Sequence, residues 1–123
     1  MRQLVFVFVL FSLFGCGSSN PATSSGNFQA KGSLKHIQFE GGDGSSIPRA
    51  VIIKNAKNSY QGIQAESAFI QQRYGIRNLD WRMISQELKQ ERNKTFDVIT
   101  IERIAAKKEA VLYFDISEFY GKL

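Results

Sequence analysis

Between Glu40 and Ile47 the chain reads Gly41-Gly42-Asp43-Gly44-Ser45-Ser46, six residues with no side chain larger than an aspartate. Successive backbone amides in such a loop can form an anion-binding concavity, so the first chemistry to consider is a ligand loop over Gly41, Gly42, Asp43, Gly44, Ser45 and Ser46. The loop lacks the Gly-Lys-Ser/Thr ending of a phosphate-binding P-loop and leads towards a strand. It also lacks the Gly-x-Gly-x-x-Gly order that opens a helix at a dinucleotide site. The alternative is a sharp turn in which Asp43 hydrogen-bonds nearby backbone. Nucleophilic catalysis by Ser45 or Ser46 would need His36, the only histidine, as base, and no Gly-x-Ser-x-Gly elbow is present. Glu40 and Asp115 could be paired as carboxylates for glycoside hydrolysis, but eleven acidic residues offer many such pairs. Asp43, Asp97 and Asp115 are too scattered for a calcium loop, and no His/Cys set exists for zinc. The sequence therefore assigns no catalytic residue, no metal site and no cofactor.

The one position with a defined covalent chemistry lies near the start. Arg2 supplies a positive charge, Leu4 to Phe14 form an apolar run broken by Ser12, and Gly15 precedes Cys16, the only cysteine. That is the layout of a secretory signal over residues 1–15, too short to span a bilayer as a mature helix. Leu13-Phe14-Gly15-Cys16 resembles the lipobox of bacterial lipoproteins. The resemblance implies that the Cys16 thiol receives a diacylglyceryl group, that the leader is removed, and that the new amino terminus is acylated. It also implies the outer membrane, facing the periplasm, where the host has two membranes, because Gly17 is not the aspartate that retains such proteins at the inner one.

Removal of the leader leaves 108 of the 123 residues, enough for one domain. Loss of Arg2 leaves 15 basic against 11 acidic side chains, a formal net charge of +4. The basic residues are spread from Lys31 to Lys122, and the longest run is Lys107-Lys108. A nucleic-acid binder gathers its charge on one stripe, so no nucleic-acid partner is expected; mild attraction to anionic headgroups fits better. With Cys16 lipidated, no thiol remains for a disulfide, and the fold must rest on its apolar core.

Residues 16–33 read as the lipidated cysteine and a flexible tether. Small polar residues dominate from Gly17 to Ser33 and cannot bury enough surface to offset their ordering entropy. Seventeen such residues reach roughly 20–25 Å. A single domain over 34–123 follows. Ile37 and Phe39 alternate with polar neighbours in a strand from Leu34 to Glu40, which turns His36 to the surface. Ala50-Val51-Ile52-Ile53 fits a buried strand. Asn58 to Tyr74 predicts a helix, with Asn58 and Gln61 forming a capping box. Gly75 is placed as its stop, with Ile76 closing on Ile70. At 100° per residue Tyr60, Ile63, Ser67, Ile70 and Tyr74 share one face, and Phe69 falls nearly opposite. Phe69 is then either covered by the chain after Gly75 or offered as a partner contact.

Residues 81–92 fit both a helix, through Trp81, Ile84 and Leu88, and a strand, through Ile84, Gln86, Leu88 and Gln90. The strand is favoured because Asn93-Lys94 looks like a tight turn into the β-branched segment Thr95 to Ile104. Glu109 to Ile116 returns after a short connection. The expected fold is α+β: one helix packed on an antiparallel sheet of about five strands, in the order β-β-α-β-β-β. Asp115 and Glu118 can cap a short terminal turn stopped by Gly121, tucking Phe114, Ile116, Phe119 and Tyr120 onto the core; the alternative is an exposed aromatic patch.

Phe39-Glu40-Gly41-Gly42-Asp43-Gly44-Ser45, Tyr113-Phe114-Asp115-Ile116-Ser117 and Phe119-Tyr120-Gly121-Lys122 together are similar to a group of small exported bacterial lipoproteins, over residues 37–122. The resemblance implies export and carries no activity or site residues. Two functions remain. One is a non-catalytic binding or structural module of the cell envelope, recognising another envelope protein or a cell-wall component. The other is a small periplasmic enzyme using Gly41–Ser46 as its anion or substrate site, which would require a pocket joining that loop to His36 or Asp115. Mass spectrometry of the mature chain should find Cys16 acylated at the amino terminus; an unmodified, soluble product would contradict the anchor and the envelope location together.

Overall fold

The computed structural model describes residues 30–123; the leader, Cys16 and the tether as far as residue 29 lie outside the described residues. Six main elements follow in order: β1 (Gln38–Gly41), β2 (Val51–Lys54), α1 (Ser59–Tyr74), β3 (Trp81–Glu91), β4 (Lys94–Arg103) and β5 (Lys108–Asp115). Single 3-10 turns at Gly32–Leu34 and Ile47–Arg49 precede β1 and β2. The chain is α+β, one helix on a five-stranded sheet ordered β1-β2-β5-β4-β3. The sheet is mixed. β1–β2 and β3–β4–β5 are antiparallel units, and β2 joins β5 in parallel through only Val51 opposite Phe114 and Ile52 opposite Asp115. A parallel join needs a long crossover, here everything from α1 to β4.

Residues 81–92 resolve as strand, and the reversal to β4 falls on Arg92 and Asn93, both with positive φ (52° and 63°), one residue before the expected Asn93-Lys94. Two consecutive left-handed residues make the two-residue hairpin whose twist suits flanking strands. The first strand begins later than Leu34, because Leu34 ends a 3-10 turn. Packing begins earlier than that residue: Ala30 is buried in the main cluster.

Asn58 caps α1 as expected, its side chain accepting from the Gln61 amide at 2.9 Å. Gln61 does not return the bond to Asn58. Its Oε1 accepts from the Lys57 amide and from His36 Nε2, each at 3.0 Å. Gly75 stops the helix with φ 101°, but Ile76 is exposed, so no closure on Ile70 forms.

The buried face of α1 is Gly62, Ala65, Glu66, Phe69 and Ile70, not the face centred on Tyr60 and Ile63, which are 68% and 54% exposed. Small residues decide the matter. A methyl on Gly62 would sit 2.0 Å from the Phe119 ring, so the glycine is what lets the C-terminal segment lie against the helix. Phe69 is 5% exposed and stands between Phe39 of β1 (centroids 5.7 Å) and Phe114 of β5 (5.7 Å, edge-on). The partner-contact expectation for Phe69 is therefore corrected: the sheet covers it, through Phe114 of β5 in the chain after Gly75 and through Phe39 of β1 before the helix.

The C-terminal segment packs through Phe114, Ile116 and Phe119 as expected, but Tyr120 is exposed and does not join the core. Phe119 is buried, and the Ser59 amide and hydroxyl both donate to the Lys122 carbonyl at 3.0 Å. Glu118 Oε1 accepts from the Asn55 amide at 2.7 Å, and the Ser117 hydroxyl accepts from the Thr95 amide at 3.0 Å. Replacing Phe69→Ala should lower stability by about 3–5 kcal/mol, as for a buried aromatic. Replacing Tyr60→Ala should change it by less than about 0.5 kcal/mol. Thermal unfolding of the two variants checks which face of α1 holds the core.

Candidate functional site

The Gly41–Ser46 loop is bonded to itself and to β5. Gly42 N–H donates to the Ala50 carbonyl (3.1 Å) and Gly44 N–H to the Arg49 carbonyl (2.7 Å). Asp43 Oδ1 accepts from the Ser45 amide (3.0 Å) and hydroxyl (2.7 Å), the local turn that Asp favours. Gly44 in turn accepts from the Tyr113 amide of β5 at 2.8 Å. A methyl on Gly42 would lie 2.4 Å from the Arg49 carbonyl oxygen, so the two limbs of the loop meet backbone to backbone. The Ser45 hydroxyl above all holds the Asp43 carboxyl below its ordinary range against the upward push of burial, with the Ser45 amide and the Arg49 and Arg73 guanidiniums adding smaller lowering effects. An anion would thus meet a carboxylate at the loop's centre, and the amides of Gly42, Gly44 and Ser45 already have acceptors.

The serine–histidine arrangement is not assembled: Ser45 Oγ donates to Asp43, and His36 Nε2 is bonded to Gln61. Glu40 and Asp115 do share a face, flanking Ile52 across three strands. Their backbones are then about 9.6 Å apart at ordinary strand spacing. Asp115, however, is engaged. Its Oδ1 accepts from the Ser117 amide and hydroxyl (3.0 and 2.6 Å), and Lys94 Nζ lies 3.9 Å from Oδ2.

Beside Asp115 the helix-free face holds a cavity of about 320 Å³. Ile47, Pro48, Ile52 and Phe96 give it apolar walls, and Gly41, Lys94 and Asp115 also line it. Only Gly41 of the glycine-rich run reaches this cavity, and His36 is not among its walls. Among the described residues no group of three or more metal-ligating side chains comes together, and no helix is long and apolar enough to cross a membrane.

Two features escaped sequence reasoning. The first is a buried acid pair. Glu66 of α1 and Asp97 of β4 are 2% and 3% exposed. Gln86 Nε2 of β3 donates to Asp97 Oδ2. Asp97 Oδ1 is buried and receives no bond from any amide or hydroxyl. Burial, then the hydrogen bond to Asp97, then the charge of Asp97 push the Glu66 carboxyl up to about 10. Near neutrality Glu66 is therefore a neutral acid whose proton supplies the donor Asp97 lacks, since two adjacent buried carboxyls do not both ionise. The signal was available: Asp97 alternates in step with Ile99 and Ile101, and Glu66 stands three and four residues before Phe69 and Ile70.

The second feature is β3. From Ile84 to Gln90 seven consecutive residues are exposed. α1 covers neither Leu88 (58% exposed) nor Ile84 (41%), and Ile63 is open on the helix flank. β3 is an edge strand, bonded to β4 alone. The alternation of Ile84, Gln86, Leu88 and Gln90 had suggested a strand with one apolar face. The structure instead leaves both faces and one edge of this stretch accessible.

No family model matches the chain, and neither a curated protein nor a solved structure matches it.

The acid pair gives a pH dependence of definite sign. A carboxyl raised in the folded state binds a proton that the unfolded chain has released. Its contribution is therefore fully present below pH 4.5 and is lost as pH rises towards about 10. The slope can reach about 1.4 kcal/mol per pH unit. Thermal unfolding between pH 5 and 9 should show this decline in the natural chain, and Glu66→Gln, which keeps a donor for Asp97 without a titrating proton, should flatten it.

Proposed function

We propose that this chain is a non-catalytic binding module of the bacterial cell envelope, held to a membrane by lipid on Cys16 and recognising an envelope protein chain through β3. The observation that carries the proposal is the run Ile84–Gln90, exposed on both faces of a strand with one neighbour. Long uncovered edges are templates for an added strand, and the exposed Leu88 and Ile84 offer apolar contact to its side chains. The internally bonded glycine-rich loop favours binding over catalysis, because its amides and its aspartate already serve the fold. The leader and the small-residue stretch after Cys16 support a tethered domain, at the outer membrane facing the periplasm where the host has two membranes.

One observation favours the second reading, a small enzyme or small-ligand binder: the cavity that brings Gly41 of the loop to Asp115. Its apolar walls and partly buried carboxylate suit a small amphipathic molecule, and its volume lies at the lower end of ordinary ligand sites.

Photo-crosslinking in intact cells separates the two. A photoreactive residue at Leu88 should capture a defined protein partner, whereas one at Lys54, on the opposite face near the other edge, should not. No adduct at Leu88, together with loss of the cellular phenotype in an Ile52→Trp variant whose thermal unfolding is unchanged, would favour the ligand site instead.

A further inference from the structure

Within the reading of β3 as a docking edge, the sequence of that strand is self-complementary. Its irregularity is confined to the bulge between Met83 and Ser85; from Ser85 to Glu91 the pairing with β4 is regular. The outer edge of this stretch is thus a straight ladder of unused backbone donors and acceptors. Soluble proteins guard such edges with proline, with inward-pointing charge or with lysines that repel a copy of themselves. Here the bulge sits at the start of the strand, and from Ser85 to Glu91 the one lysine, Lys89, is matched by an acid two residues before it, so a copy of the strand is not repelled. Glu87 and Lys89 flank Leu88 with opposite signs, on the sheet face opposite to that of Leu88. We propose that two copies of this chain join through β3 in an antiparallel pair centred on Leu88, making one continuous ten-stranded sheet.

In that register Glu87 of each copy lies opposite Lys89 of the other, twice over, and Leu88 lies opposite Leu88 with Gln86 opposite Gln90. Opposite charges and apolar residues directly across an antiparallel pair are the combinations that stabilise it. Within one chain Lys89 has only the long contact to Glu91 at 3.9 Å, between side chains 55% and 41% exposed, so little is lost on re-pairing. The two-fold axis runs through the sheet, so both α1 helices lie on one side. The face next to Leu88 is uncovered in each copy, and the joined sheet gives Leu88 an apolar neighbour there. A two-fold contact of this kind closes on itself and does not propagate into a filament, because each copy has only one β3 edge.

The test is sedimentation of the full chain in detergent over a range of concentrations, with charge-reversed variants. The natural chain should show a monomer–dimer equilibrium. Glu87→Lys and Lys89→Glu, each placing like charges opposite one another twice, should each weaken the dimer by roughly tenfold. The double variant Glu87→Lys with Lys89→Glu restores the pairs with their signs exchanged and should return to within about threefold of the natural chain. All three leave the core untouched, so unchanged thermal unfolding at a concentration where every variant is monomeric confirms that folding is not what is being read. A natural chain that is monomeric at every concentration, or a double variant as weak as the singles, overturns the proposal. If the chain is monomeric and a photoreactive Leu88 still captures a different envelope protein, the second copy is wrong and the docking edge stands. If neither occurs, both fall.

Discussion

The structure depends on a seam two residues long. The β1–β2 hairpin and the β3–β4–β5 meander are each held by antiparallel ladders, but only Val51 with Phe114 and Ile52 with Asp115 join them within the sheet. Everything unusual in the sequence converges on that join. The glycine-rich loop folds tightly enough to present Gly44 to the Tyr113 amide. Phe69 spans the seam from above, touching Phe39 on one side and Phe114 on the other. The segment after β5 ties the hairpin and helix end to the meander through Glu118 to Asn55, Lys122 to Ser59 and Ser117 to Thr95. A parallel join of two pairs is weak alone, and these contacts distribute its load over a loop, a ring and a tail.

That architecture also accounts for the polar interior. With Gly62 and Ala65 facing inward, α1 packs Phe69 on β1 and β5 and brings Glu66 onto Asp97 of β4 at the border of the covered area. Past that border β3 is left exposed from Ile84 to Gln90, while Trp81 at its start is buried against the end of the helix. The shared proton and the exposed strand are two consequences of one helix being too narrow for five strands. A polar pair marks where cover ends, and Gln86 reaches in from the uncovered side to complete it.

Much of this was legible from local chemistry. Val51-Ile52-Ile53 and Phe96 to Ile101 announce strands by β-branched content, Asn58 and Gly75 bracket the helix, and Asp43 before two serines signals a turn that bonds its own backbone. What was not legible is non-local. Tyr60, Ile63, Ile70 and Tyr74 make a convincing apolar face, and nothing in α1 itself says that Phe119 will claim Gly62 and turn the helix towards Phe69. The parallel seam follows from where β5 ends relative to β2, which no local pattern encodes. The burial of Asp97 is also non-local, because a buried acid needs a partner, and that partner lies 31 residues upstream at Glu66.

The claim that the loop and the tail are a structural joint can be tested residue by residue with native-state amide hydrogen exchange. The Gly44 amide reports the loop, the Tyr113 amide the bond across the seam, and the Ile116 amide, bonded to the Thr95 carbonyl at 2.9 Å, the meander with its tail. If the seam makes one cooperative unit, all three should exchange only through global unfolding, with equal free energies. Early exchange of Gly44 and Tyr113 while Ile116 stays protected would show a loop that opens on its own, as a ligand site does, and would contradict the account.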